Sequence, residues 1–187
     1  TNPTFRSHLE HCASLINEIM KRRKIYVGGT SDGVTNILAV LFGEDKETFV
    51  RPTVVQPCIF MVEYSMAMTL IEYGIVPMAM GGHSIGEYVA ATVAGVFTLR
   101  DALELIVLRG LVTEENAPIG SMLSIANVDE TTLQTLLLEH QDISVAAHNA
   151  PNMYVLSGSE KNVQQLQADI EKKKNKTTMM EGEQAKF

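Results

Sequence analysis

A serine between two glycines is the part of this sequence whose residue types and spacing could do chemistry. The run reads Gly82, His83, Ser84, Ile85, Gly86, which is the spacing Gly-x-Ser-x-Gly. This spacing is typical of a nucleophile elbow, a sharp strand-to-helix turn that presents a serine hydroxyl for attack on a carbonyl carbon. The glycines fit, because so tight a turn leaves no room for a Cβ two residues before or after the serine. The alternative is a glycine-rich turn whose serine only caps the next helix.

The flanking sequence predicts the strand and the helix that such a turn needs. Residues 75–81 are continuously apolar, which favours a short buried strand in the centre of a parallel sheet. Residues 87–94 are typical of a helix. The serine would then lie at a helix N-terminus, where the backbone N–H of Ile85 can donate to an oxyanion.

Arg109 interrupts an otherwise almost wholly apolar helix. Thr98 and Asp101 predict the start of this helix through a capping box, and it extends to about Glu115. A guanidinium keeps its charge and is costly to bury alone. Arg109 therefore reaches outward to water, pairs with an internal acid or awaits an anionic ligand, and spacing alone leaves all three alternatives open.

Other helices are predicted before the serine. Residues 3–20 show the apolar spacing of an amphipathic helix, and residues 35–42 predict a short helix after a loop with a possible strand at 25–27. Pro57 fits the first position of a helix that ends at Gly74. The apolar residues of that helix cover most of its circumference, so we expect it to be buried on several sides.

The pattern of elements changes after Gly120. Strands are predicted at 121–126, 143–147 and 154–157, with helices at 129–140 and from Ser159 to about 174. This order, βαββα, is a split βαβ lobe without its last strand. Residues 175–187 are polar, and we expect them to fray. The predicted domains are 1–118 and 119–187.

Composition excludes some classes of function. The net charge of −7 argues against nucleic-acid binding, because no basic face is available for phosphates. Cys12 and Cys58 have no metal-ligand spacing around them, and two free cysteines favour a reduced, cytoplasmic protein. No apolar run reaches the roughly 18–20 residues that span a bilayer, and the first residues do not resemble a secretory signal. We therefore expect no membrane partner.

In order along nearly the whole chain, several motifs match one family. The motifs are Asn2 to Arg6, Gln56 to Phe60, Gly82 to Ala91, Ala94 to Phe97, Arg109-Gly110, Asn149 to Pro151 and Val155 to Gly158. With these motifs the sequence resembles the malonyl-type acyltransferases of polyketide and fatty-acid synthesis, especially the acyltransferase domains of large synthases. The resemblance implies an α/β-hydrolase-like large lobe with a parallel sheet and an inserted, incomplete ferredoxin-like small lobe.

The resemblance also implies a reaction and its partners. In the family, the serine attacks the thioester of malonyl-CoA, holds the acyl group as an ester and passes it to the phosphopantetheine thiol of an acyl carrier protein. Neighbouring synthase domains are the other expected partners, and no permanently bound cofactor or metal is expected.

Site residues follow from the same resemblance. Ser84 is the expected nucleophile, the Ile85 N–H an oxyanion donor, and Arg109 the partner of the free carboxylate of the acyl group. His83 is expected to line the acyl pocket. It is poorly placed as the base, because adjacent residues at an elbow point in different directions. Gln56 supports the floor of the site or only begins a helix. Asn149 is expected to hold a turn. The aliphatic Ile85 goes more often with malonyl than with methylmalonyl.

The sequence departs from the family pattern at two places. The Gly-Gln-Gly-Ser-Gln loop that supplies a second oxyanion donor is absent, as is the Ser-His-Ala-Phe-His-Ser segment that carries the general-base histidine. His148 is a poor substitute, and the expected helix-surface histidines are His8, His11 and His140. We therefore expect a central piece of an acyltransferase that is weakly active or inactive alone.

Two alternatives to an active acyltransferase remain open. A catalytically incomplete module could bind a carrier protein or scaffold a synthase without turnover. A thioesterase or lipase-like hydrolase would share the elbow, but it needs a downstream acid and histidine in chain order and gives Arg109 no role.

Overall fold

The chain divides into two compact units, which a computed structural model describes at residues 2–27, 35–172 and 178–181. The units are Thr1–Asn116 and Ala117–Phe187. The sequence analysis places the boundary at residue 118, close to this division. Its predicted loop at 21–34 lies partly outside the described residues.

The first unit consists of helices in its described part. They are α1 (Pro3–Arg23), α2 (Ile37–Leu41), α3 (Lys46–Phe49), α4 (Pro52–Glu72), α5 (Ile85–Val93) and α6 (Leu99–Asn116). Helix α4 packs against α1, α5 and α6. Its Phe60 and Met61 are fully buried with Ile16 of α1 and Ile106 of α6. This core fixes the relative positions of the helices that carry the candidate site.

The start of α4 differs from the prediction. The helix begins at Pro52, and Pro57 lies inside it. Both prolines can occupy a first helical turn, and the tertiary packing of Pro52 and Thr53 selects the earlier start. The predicted stop at Gly74 is confirmed by its φ of 88° and by the hydrogen bond from Ile75 N to Leu70 O.

The apolar length of α4 also corrects an expectation. With its full 21 residues, this helix is long and apolar enough to cross a membrane. Such a helix is weak evidence for a membrane span, because the core helix of a soluble protein passes the same test. Here α4 packs on the other helices of the first unit, mainly α1, α5 and α6, through its buried side chains.

The predicted strand at 75–81 is wrong in this structure. The segment is irregular, and Val76 is 82 % exposed. A parallel strand needs neighbouring strands for its hydrogen bonds, and residues 2–27 and 35–116 contain none. Pro77 also lacks the N–H that a central strand donates. The predicted parallel sheet is therefore absent from the described part of the first unit, and so is the possible strand at 25–27.

The second unit has the predicted βαββα order and one more strand. Its elements are β1 (Ser121–Ala126), α7 (Glu130–Glu139), β2 (Ser144–Ala150), β3 (Met153–Gly158), α8 (Glu160–Lys172) and β4 (Thr178–Glu181). The sheet order is β2-β3-β1-β4, and all neighbours are antiparallel. The order βαββαβ with this topology is the complete ferredoxin-like arrangement.

The fourth strand corrects the expectation of an incomplete lobe and a frayed end. Ala126 of β1 pairs with Thr178, and Leu123 pairs with Glu181. The segment 178–181 was predicted to fray from its polar surroundings, but β1 offers an open edge for it. Residues 173–177 and 182–187 of the segment predicted to fray lie outside the described residues.

Candidate active site

Ser84 lies at a sharp turn immediately before α5. Its φ of 52° and ψ of −110° are strained for a residue with a side chain. Two backbone hydrogen bonds close the turn, from Gly86 N to His83 O and from Glu87 N to Ser84 O. The Ser84 side chain makes no capping bond to the helix, so the alternative of a serine that only caps a helix does not describe this geometry.

The two glycines of the motif serve different purposes. A Cβ on Gly82 would lie 2.0 Å from the carbonyl carbon of Gly86 and 2.3 Å from the nitrogen of Glu87. These are backbone atoms of the turn itself, so only glycine fits at position 82. A Cβ on Gly86 would meet nothing closer than the Glu63 carboxylate at 3.7 Å, an ordinary contact. The expectation that both positions exclude a side chain is therefore wrong for Gly86.

Three side chains from three segments meet at the elbow. The Nη2 of Arg109 donates to the Oγ of Ser84 at 3.2 Å, and its Nη1 donates to the Oε1 of Gln56 at 2.6 Å. Gln56 is buried on α4, Arg109 is half-buried on α6, and Ser84 is exposed. Gln56 therefore does more than begin a helix, because its amide oxygen orients the guanidinium.

The guanidinium of Arg109 keeps unused donors beside the serine. No acid pairs with it among the described residues, so its positive charge is not neutralised there. A guanidinium has five N–H donors in a fixed fork that matches a carboxylate. Of the three sequence alternatives, the geometry favours the anionic ligand. The arrangement combines a presented hydroxyl with an adjacent cation that can hold an acid group.

The first N–H of α5 is also available. Within residues 2–27 and 35–172, the N–H of Ile85 has no acceptor, whereas the next two backbone N–H groups close the turn. The first N–H groups of a helix lack partners within it and carry the positive end of the helix dipole. A negatively charged oxygen formed at Ser84 could be stabilised at this place.

A pocket of about 620 Å³ opens beside the elbow. It is lined by α4, by α5 and by residues of the irregular segment, among them Leu70, Pro77, Met80, His83 and Val89. Neither Ser84 nor Arg109 lines it. His83 therefore faces a mainly apolar cavity next to the serine, and its place in an acyl pocket stays a prediction.

The other histidines have local contacts of their own. His8 is half-buried and lies 2.6 Å from the Glu72 carboxylate, and the His140 ring lies 3.7 Å from Asp169. His148 stacks on Tyr154 within the second unit's sheet, and His11 is exposed. His8 and His140, expected at helix surfaces, are therefore partly buried and each has an acidic neighbour. Among the described residues, no histidine makes a hydrogen bond to Ser84.

Asn149 lies in β2 itself, and the turn that follows the strand is made by Pro151 and Asn152. The φ of Asn152 is 60°, a left-handed value that asparagine tolerates well. Asn149 therefore does not occupy the turn that the sequence analysis assigned to it.

One group near the site was not found by sequence reasoning. Glu114 of α6 accepts hydrogen bonds from Thr53 and Arg51 at the start of α4. The available signal was Gly110, a glycine inside a helix directly after Arg109. A Cβ there would lie 2.5 Å from the carbonyl oxygen of Pro52, so the two helices touch at this point.

Comparisons with known proteins identify the family of this chain. Residues 30–185 match the family described as the acyl transferase domain. A phenolphthiocerol synthesis polyketide synthase type I of Mycobacterium marinum is 36 % identical over 121 residues, which are 65 % of this chain and 6 % of that protein. A malonyl CoA-acyl carrier protein transacylase of Synechocystis is 34 % identical over 115 residues, which are 62 % of this chain and 39 % of that protein.

Solved structures that resemble this chain are also acyltransferase domains. The acyltransferase domain from module 8 of the salinomycin polyketide synthase superposes with a TM-score of 0.79 at 29 % identity, covering 98 % of this chain and 41 % of that one. The chain thus spans well under two thirds of the length of the proteins that it matches. With a family match over most of its residues, this chain belongs to the acyl transferase domain family.

Proposed function

We propose that this chain is part of an acyltransferase that moves a malonyl-type unit from coenzyme A to an acyl carrier protein through an ester on Ser84. The observation that carries the proposal is the 3.2 Å contact between the Arg109 guanidinium and the Ser84 hydroxyl at a strained elbow. A nucleophile and a fixed cation at this separation suit an acyl group that carries its own carboxylate. The matched relatives include polyketide synthases and a malonyl CoA-acyl carrier protein transacylase.

The proposed reaction has two balanced steps. The Ser84 Oγ attacks the thioester carbonyl, its bond to carbon forms, and the carbon–sulfur bond breaks as the coenzyme A thiol leaves with a proton. In the second step the phosphopantetheine thiol of the carrier protein attacks the ester carbonyl. A carbon–sulfur bond forms, the bond between the carbon and the Oγ breaks, and the proton of the thiol passes to the Oγ. The Ile85 N–H donates to the oxyanion that develops in both steps.

Arg109 supplies the selectivity in this proposal. Its Nη1 is fixed by Gln56, which leaves the outer donors directed toward the serine. A carboxylate held by these donors places the acyl carbonyl near the Oγ, and an uncharged acyl group lacks this anchor. Gln56 therefore acts as a positioning residue and Arg109 as the ligand of the substrate carboxylate.

A base must take the proton of the Ser84 hydroxyl, and none of the described residues forms a hydrogen bond to the Oγ as a base. We therefore expect the chain alone to form the ester slowly, because loss of the base costs several orders of magnitude in comparable serine enzymes. The complete protein, with neighbouring synthase domains and an acyl carrier protein, is the proposed working unit. A cytoplasmic location is proposed with it.

The experiment that tests the function is acylation of the chain by radiolabelled malonyl-CoA. We expect slow incorporation of label at Ser84, located by peptide mass spectrometry, and none in Ser84→Ala. Ser65→Ala is the matched control, because Ser65 is a buried serine whose hydroxyl donates to the Met61 carbonyl. Label on another residue, or equal labelling of Ser84→Ala, would contradict the acyl-enzyme.

The non-catalytic alternative predicts a different result. A module that only docks a carrier protein would bind that protein in calorimetry, acquire no label, and be unaffected by Ser84→Ala. This combination of results would replace the proposed function with a scaffolding role.

A further inference from the structure

Helices α4 and α6 approach each other closely at Gly110. A Cβ on this residue would lie 2.5 Å from the Pro52 oxygen and 2.9 Å from the Thr53 Cα. Because these are backbone atoms, the two helices cannot separate or slide there without losing their packing. Gly110 directly follows Arg109, and Gln56 lies one turn after Pro52, so this close approach is next to the Gln56–Arg109 pair.

Glu114 stabilises the same contact between α4 and α6 with hydrogen bonds. Its carboxylate accepts from the Thr53 hydroxyl at 2.6 Å, from the Thr53 N–H at 3.3 Å and from the Arg51 Nε at 2.9 Å. It also pairs with the Arg51 Nη2 at 2.8 Å. Arg51 precedes α4 but does not cap it with its own side chain. Glu114 therefore supplies, from α6, the acceptor that the first turn of α4 lacks.

Four contacts connect Glu114 to the serine. Glu114 joins the start of α4 to the last turns of α6, the Gly110 contact sets the distance between the helices, and Gln56 then meets Arg109 at 2.6 Å. Arg109 in turn reaches Ser84 at 3.2 Å. A shift of α6 along α4 by about 1 Å would separate Gln56 from Arg109, because a side-chain hydrogen bond is lost once the two atoms are about 3.6 Å apart.

We infer that Glu114 is a positioning residue for the acyl carboxylate site: through Thr53 and Arg51 it holds α4 and α6 in the register at which Gln56 aims Arg109 at Ser84. The inference rests on the proposed function, since that function gives Arg109 its ligand. Glu114 itself touches no substrate. Its effect is on the direction and mobility of the Arg109 guanidinium.

The test uses Glu114→Ala and Glu114→Gln, with Glu115→Gln as the matched control. Glu115 is the next residue on α6, and its side chain is exposed. Glutamine at 114 keeps the size and one oxygen for the Thr53 hydroxyl but removes the charge that pairs with Arg51. It serves as the milder variant if alanine does not fold, and circular dichroism establishes folding for each.

The first measurement is the side-chain NMR signal of the Arg109 Nε–H group in the chain labelled with ¹⁵N, assigned by its loss in Arg109→Lys. A held guanidinium gives a signal apart from those of mobile arginines. We expect this signal to move to the mobile position in Glu114→Ala, to shift partly in Glu114→Gln, and to stay in Glu115→Gln. An unchanged signal in folded Glu114→Ala would overturn the inference.

The second measurement compares binding of malonyl-CoA and acetyl-CoA by calorimetry. We expect the preference for malonyl-CoA to fall about tenfold in Glu114→Ala, since a hydrogen bond to a charged group contributes on this order. A role in stability alone would lower the melting temperature and leave both the preference and the Arg109 signal unchanged. If the wild-type chain shows no preference while the Arg109 signal responds, the proposed function fails and the positioning role stands.

Discussion

The Nη2 of Arg109 lies 3.2 Å from the Oγ of Ser84, although the two residues are 25 positions apart. The contact places a cation beside a presented nucleophile, and the charge has no acidic partner among the described residues. Such a pair has room for a ligand that is both an electrophile and an anion. Malonyl thioesters have both properties.

Arg109→Lys is predicted to weaken binding of malonyl-CoA by about tenfold or more, because lysine offers a point charge in place of a planar fork. Binding of acetyl-CoA should change little, since it has no carboxylate. Calorimetric titration of both ligands measures the difference. Arg100→Lys is the control on the same helix, because Arg100 pairs with Glu18 at the surface. An equal loss for both ligands would contradict the carboxylate role.

Two changes at Gln56 are predicted to have different effects on stability. Gln56→Ala leaves the Arg109 Nη1 without its acceptor and should cost about 1–3 kcal/mol in the free energy of unfolding. Gln56→Glu keeps an acceptor for the Arg109 Nη1 and should therefore retain the stability of the fold. Its added negative charge should neutralise the guanidinium and weaken the binding of malonyl-CoA. Urea unfolding and calorimetry measure the two quantities.

The control for Gln56 is Gln164→Ala, since Gln164 is exposed and bonds only within its own helix. It should leave both quantities unchanged. Tight malonyl-CoA binding by Gln56→Glu would show that Arg109 does not meet the ligand carboxylate.

Gly82→Ala and Gly86→Ala form a matched pair that tests the elbow. At Gly82 the added methyl would lie 2.0 Å from backbone atoms of the turn, and we expect a loss of about 1–3 kcal/mol or more. At Gly86 the nearest atom is 3.7 Å away, and alanine in a helix is favoured over glycine by about 1 kcal/mol. Urea unfolding should therefore separate the two variants. Equal destabilisation would contradict the turn geometry.

Local signals in the sequence predicted the local structure well. The Thr98–Asp101 capping box is present, with Asp101 N donating to the Thr98 Oγ1 at 3.2 Å. Ser159 caps α8 as predicted, through the N–H of Asn162. In both cases a side chain bonds to a backbone group three residues away, so the information lies within one turn of chain.

Elements that depend on distant partners were predicted less well. Residues 75–81 have the composition of a buried strand, but a strand forms only where a neighbour supplies hydrogen bonds. Conversely, residues 178–181 have no strong pattern and pair with β1 because its edge is open. For the site, the motif identified Ser84, whereas the contacts of Arg109 with Gln56 and of Glu114 with Thr53 join residues more than 50 positions apart. No periodicity in the sequence encodes such pairs.

The two cysteines are predicted to be unreactive in the folded protein. Burial raises the pKa of Cys12 to about 12, against a smaller lowering by its hydrogen bond with Ser65, and burial raises the pKa of Cys58 to about 12. At pH 8 a thiol with this pKa is ionised in only about one molecule in ten thousand, and the thiolate is the reactive form. Titration with Ellman's reagent should detect both thiols in denaturant and neither under native conditions. Rapid native reaction of either thiol would contradict the buried positions on α1 and α4.

Acid should remove the contribution of Glu114 to stability. Burial alone would raise the pKa of Glu114, but hydrogen bonds from Thr53 and Arg51 outweigh it and hold the pKa below its ordinary value of 4.5. A carboxyl group whose pKa is lower in the folded state stabilises the fold above the unfolded pKa, and this contribution is lost as the pH falls through the folded pKa. The free energy of unfolding of the wild type should therefore exceed that of Glu114→Gln by a constant amount from pH 7 down to about 5. The difference should shrink below pH 4.5.

Other carboxyl groups with lowered pKa values, such as Glu18 and Asp129, are common to both proteins and cancel in the comparison. Urea unfolding at constant ionic strength gives both curves, and parallel curves down to pH 3 would show that Glu114 does not form the Thr53 and Arg51 contacts in solution.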